Sequence, residues 1–139
     1  MRVAVIDGQG GGMGRAIVEK LRIVFENHIE ILALGTNALA ASLMLKAGAD
    51  ECASGENAIV FCTQRVDVIM GPIGIIAANS MLGELTPNMA KAIAECRARK
   101  ILIPMNKCNI QIASVRNEPL PQQIDDAIEM LKSLKLFIE

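Results

Sequence analysis

Short runs of branched apolar residues alternate along this chain with longer stretches whose apolar positions recur every three or four residues. That alternation predicts strands and helices in turn. Arg2–Asp7 (RVAVID) predicts a strand buried on both faces. From Gly14 to about Glu26, Ile17, Leu21 and Val24 fall at helical spacing. IEILALG predicts a second strand, and ALAASLMLKA a second helix, capped by Thr36 or Asn37 and stopped at Gly48. This second helix is apolar nearly all round, which calls for deep burial or a subunit interface. A short strand is expected near Ala49–Cys52, a helix from about Asn57, and a buried strand at Val66–Met70. The apolar segment GPIGIIAANSML after it reads as helical, with Asn79 in mid-pattern.

Thr86 followed by Pro87 marks another helix start, and Arg97, Arg99 and Lys100 near its end suit the helix dipole. KILIPM predicts a strand, NKCN a turn, and IQIASV an antiparallel edge strand. A last helix carries Ile124, Ala127, Ile128, Leu131 and Leu134 on one stripe. The pattern predicts one domain over residues 1–139, a three-layer α/β/α Rossmann-like fold with a mostly parallel sheet.

Composition narrows the function classes. A net charge of −1, with three Phe and no Trp or Tyr, offers neither a basic face nor stacking platforms for nucleic acid. No apolar run reaches the length of a membrane span. Cys52, Cys62, Cys96 and Cys108 show no metal-ligand spacing, and the single histidine, His28, falls between the first helix and second strand. No metal site is expected, and the thiols fit a reducing, cytoplasmic setting.

The chemistry concentrates between the first strand and first helix. Gly8, Gln9, Gly10, Gly11, Gly12, Met13 and Gly14 form a glycine-rich corner whose helix N-terminus offers free N–H groups to a phosphate. The glycines fit G-x-G-x-x-x-G or G-x-x-x-G-x-G but not G-x-G-x-x-G. The second strand ends in Gly35-Thr36-Asn37, where an NAD site would show a carboxylate and an NADP site an arginine. A nucleotide such as NAD(P) is therefore weakly supported and the cofactor stays unassigned. The other residues expected at the same sheet edge are Thr36, Asn37, Gly71, Pro72, Asn79, Ser80, Asn106, Lys107 and Asn109. Asn37, Asn106 and Asn109 also have plain readings, the first as a helix cap and the other two as turn residues. Asp7 is a candidate general base, Lys107 a charge stabiliser, and Cys108 a weak nucleophile candidate.

The strings VIDGQGGGMG, ALGTNALAASLMLKAGADE, SGENAIVF, VDVIMGPIGIIAANSMLGELTP and ILIPMNKCNI together resemble a family of small bacterial proteins catalogued as a domain of unknown function. That resemblance implies a bacterial cytoplasmic protein and brings no catalytic residue with it. GTN at Gly35–Asn37, GPIG at Gly71–Gly74 and IPMN at Ile103–Asn106 more loosely resemble methylglyoxal synthase. The acids that follow the GP-x-G-G segment of that family are missing here, since no acid stands between Gly74 and Glu84.

Three functions remain open on these residues. The first is binding of a nucleotide or phosphorylated small molecule at the glycine loop. The second is a small enzyme acting on a phosphorylated or carbonyl metabolite through Asp7 and Lys107. The third is a structural or assembly protein. The apolar second helix favours a homo-oligomer in each case.

Overall fold

The computed structural model describes residues 1–104 and 109–138. Five strands form one sheet: β1 (Arg2–Asp7), β2 (Glu30–Gly35), β3 (Glu51–Ser54), β4 (Val68–Pro72) and β5 (Arg99–Ile103). The helices are α1 (Gly12–Phe25), α2 (Ala38–Lys46), α3 (Glu56–Cys62), α4 (Pro87–Glu95) and α5 (Leu120–Ile138). Every strand pair is parallel, in the order β3-β2-β1-β4-β5.

The alternation of β1 explains the layers. Val3 and Val5 enter one core with Ile17, Val18 and Leu21 of α1, Met44 of α2 and Ile124 and Ile128 of α5. Ala4 and Ile6 enter the opposite core with Ile59 of α3 and Met89 and Ile93 of α4. Two crossovers run outward from β1 through α1 and α2. The third returns through α3, on the other face, to place β4 at the free side of β1. This is the Rossmann strand order, and it reverses between β1 and β4, where open parallel sheets form a crevice beyond the strand ends.

The two N-cap signals read from sequence hold, whereas Arg97 and Arg99 lie beyond α4, whose last turn carries no basic residue. Asn37 Oδ1 accepts the Ala40 N–H at 2.8 Å, and Thr86 Oγ1 accepts the Met89 N–H at 3.1 Å. Lys100 lies inside β5, yet its Nζ donates to the carbonyls of Ala94 and Cys96 at the end of α4, at 3.1 and 2.6 Å. The second helix is less buried than its composition predicts. Ala40, Ala41 and Met44 are covered, while Leu39 remains 67% exposed.

Two expectations are corrected. Ile110–Val115 forms no strand, and the sheet has no antiparallel member. The segment is exposed and folds on itself, the Val115 N–H donating to the Ile112 carbonyl, with Ser114 in a left-handed conformation. The apolar stripe of α5 covers β5 face-on from the α1 side.

The segment after β4 is also not a helix carrying Asn79 in mid-pattern. It makes a 3-10 turn at Ile73–Ile76, then a closed loop in which the Asn79 N–H donates to the Leu85 carbonyl. Ile75 and Leu85 are both fully buried in one core, and the chain reverses between them. Asn79, Met81 and Leu82 supply the reversal with φ of 65°, 59° and 57°. Asn79 is exposed as a result.

Helix α1 approaches β1 so closely that a Cβ at Gly14 would lie 2.5 Å from Met44 Sδ and 2.8 Å from Asp7 Cβ. Gly14→Ala should therefore cost about 1–3 kcal/mol of stability by overpacking. Urea denaturation checks this, and an unchanged midpoint would contradict so close a strand–helix contact.

Candidate functional site

The corner between β1 and α1 is built around a buried carboxylate. Gly11, the residue before α1, has φ 74° and no side chain with which to cap the helix. Asp7, the last residue of β1, does this from below. The Gly14 N–H donates to Asp7 Oδ2 at 2.7 Å and the Gly8 N–H to Oδ1 at 2.8 Å. Asp7 is only 5% exposed. Its burial pushes its pKa above the ordinary value, against the pull of the bonds from Gly14 and Gly8, and the nearby Glu84 charge pushes the same way.

A second carboxylate, not foreseen from the sequence, holds the outer side of the loop. Glu84 Oε1 accepts three hydrogen bonds: from Gln9 N–H at 2.9 Å, Thr36 Oγ1 at 2.7 Å and Asn37 Nδ2 at 2.7 Å. The bond from the Gln9 N–H, then that from Thr36, hold its carboxyl below the usual range. Asn37 Nδ2 also donates to the Gln9 carbonyl at 3.0 Å. Gln9, Thr36 and Asn37 are thus brought together as expected, but around a carboxylate of the protein itself.

Between these anchors the loop faces a cleft of about 580 Å³ lined by Asp7, Gly8–Met13, Pro72, Gly74, Ser80, Met81 and Leu82. It sits at the β1–β4 reversal, where the topology places it. Among the described residues, the N–H groups of Gly10, Gly12 and Met13 have no hydrogen-bond partner, whereas that of Gly11 donates to the Gly8 carbonyl. A larger cavity of about 820 Å³, lined by Pro104, Ile112, Arg116 and neighbours, shares Met13 with the cleft. The loop donors belong to the smaller one.

The glycines divide by purpose. A Cβ at Gly8 would strike Thr36 Oγ1 and Met81 Sδ, and one at Gly71 would strike the Ile6 carbonyl. With Gly14, these are packing positions. A Cβ at Gly10 or Gly12 would meet nothing within 4 Å, and neither residue has left-handed backbone. The fold gives no reason for glycine at either position.

Of the other expected residues, Pro72 and Ser80 line the cleft, while Gly71 packs behind it and Asn79 lies outside its lining. Asn109 has φ 56°, as a turn residue does. Asn106, Lys107 and Cys108 lie outside the described residues. His28 is exposed, with Nδ1 3.0 Å from the Phe25 carbonyl at the other end of the sheet. Among the described residues no helix is long and apolar enough to cross a membrane.

The two carboxylates should respond oppositely to pH. Asp7 has a raised folded-state pKa, so its contribution is full below the ordinary value of 3.8 and is lost as pH rises through the folded one. Glu84 has a lowered one, so its contribution is present above the ordinary 4.5 and lost as pH falls. Asp7→Asn replaces an acceptor with a donor opposite one N–H group. Its destabilisation should be greatest below the ordinary 3.8 and shrink as pH rises through the folded value. Denaturant titrations of both proteins across the acid range measure this, and a pH-independent difference would contradict it.

No curated protein sequence matches the chain. Among solved structures, a dodecameric FMN-dependent UbiX-like decarboxylase from Escherichia coli O157:H7 is similar over 95% of this chain and 76% of that one, with a TM-score of 0.45 and 15% identity. The sequence profile of one family matches residues 2–135. The chain belongs to that family, described as domain of unknown function DUF3842.

Proposed function

We propose that this protein binds a nucleotide or another phosphorylated small molecule in the cleft at the β1–β4 reversal, with the glycine loop as its phosphate grip. The observation that carries this reading is the pair Gly10 and Gly12. Among the described residues both are free of packing demands, and their N–H groups, with that of Met13, have no protein partner beside the cleft. A side chain at either position would stand between a ligand and the backbone. The N-terminal end of α1 adds partial positive charge where an anion would sit. The cleft volume falls in the usual range for small-molecule sites.

Asp7 works here as the keystone of the loop: both its oxygens are engaged by the corner it supports. The loop amides are already spaced by the fold, so little ordering would be lost on binding.

Gly12→Ala separates folding from binding. It should leave stability within about 0.5 kcal/mol of wild type, since the added methyl meets no atom among the described residues and Gly12 itself is not left-handed. Pyrophosphate and ADP should raise the melting temperature of the wild-type protein by mass action, and should bind the variant at least about tenfold more weakly, as expected for a lost charge-assisted contact. Equal binding by both proteins, or no shift with either ligand at millimolar concentration, would overturn the reading.

A further inference from the structure

An NAD-type Rossmann site needs a carboxylate at the end of the second strand, where it accepts hydrogen bonds from the ribose hydroxyls. Here that strand ends in Gly35-Thr36-Asn37, with no acid of its own. The structure nevertheless puts a carboxylate there. Glu84 arrives from the loop between β4 and α4, and its Oε1 is fixed by Thr36, Asn37 and Gln9, three donors from two other segments. Its Oε2 has no hydrogen-bond or ion-pair partner among the described residues.

We propose that Glu84 is a specificity residue that reads the vicinal hydroxyls of a ribose, so that the phosphorylated ligand is a ribonucleotide. The inference rests on the phosphate-binding reading above. Three convergent bonds on one oxygen orient the carboxylate at little further entropic cost and leave the second oxygen as an acceptor. The donors that hold it are neutral, so the group keeps its charge. Its pKa is held low, which keeps it an acceptor at neutral pH. A phosphate on the ribose hydroxyl would meet this charge at the edge of the cleft, whose described lining residues include no Arg or Lys, so such ligands are disfavoured.

The test compares four probes on the full chain by calorimetry: ADP, its dideoxy analogue lacking both ribose hydroxyls, ADP phosphorylated on the ribose, and pyrophosphate. ADP should bind at least about tenfold more tightly than the dideoxy analogue, the usual worth of hydrogen bonds to a charged acceptor, and more tightly than the ribose-phosphorylated form. Glu84→Ala also frees the loop donors that Glu84 holds, so it is read as a ratio: the preference for ADP over the dideoxy analogue should vanish, whatever change pyrophosphate and both nucleotides share. The comparison between ligands needs no variant and stands if Glu84→Ala folds poorly. If pyrophosphate binds but ADP and its dideoxy analogue bind alike, the ribose assignment fails and the phosphate grip survives. If nothing binds, both fail. Tighter ADP binding by Glu84→Ala that pyrophosphate does not share would show that Glu84 occupies the place of the ligand, and would overturn the assignment too.

Discussion

One carboxylate ties the first strand to the first helix. Asp7 ends β1, lies buried beneath the glycine corner, and accepts N–H groups from both sides of it, Gly8 before and Gly14 after. Buried carboxylates are costly unless hydrogen bonds satisfy them, and the raised pKa records that cost. The geometry that satisfies Asp7 has consequences. Helix α1 must come within van der Waals contact of the strand end, which forbids a side chain at Gly14, and the intervening loop must arch outward. The arch turns the amides of Gly10, Gly12 and Met13 away from protein partners.

The loop's donors are thereby shared among three acceptors. Asp7 takes those at the base. Glu84 takes the Gln9 N–H on the β2 side and, through Thr36 and Asn37, pins the loop to the next strand. The Gly8 carbonyl takes the Gly11 N–H, and Gly10, Gly12 and Met13 line the cleft. On the proposed reading, donors already fixed around a phosphate would cost no reorganisation when a ligand arrives. With two carboxylates nearby, affinity for phosphate has to come from backbone dipoles close to the ligand. Long-range attraction contributes little, as the net charge of −1 also implies.

How much of this could be read from the sequence depended on the range of the interaction. Local signals were legible: the Val and Ile alternation of β1, the Asn37 and Thr86 caps, and the stripe of α5 each rest on residues a few positions apart. The glycine corner was legible as a candidate for the same reason. The segment from Ile73 to Leu85 was not. Its apolar residues look helical in one dimension, but Ile75 and Leu85 enter the same core from a reversed chain, a constraint only the three-dimensional packing imposes. Glu84 was invisible as a site residue because its partners Gln9, Thr36 and Asn37 stand 75, 48 and 47 positions away. IQIASV has the period of a strand, but it turns back on itself and pairs with no strand of the sheet.

The central claim is that three specific backbone amides are held ready for an anionic ligand while their neighbours are already engaged. Amide chemical shifts followed during titration of an isotope-labelled sample with a nucleoside diphosphate test it most directly. The account predicts the largest shifts at Gly10, Gly12 and Met13, with smaller ones at Gly8 and Gly14, whose N–H groups stay on Asp7. Saturable shifts centred on another part of the fold, with these three amides unmoved, would contradict it.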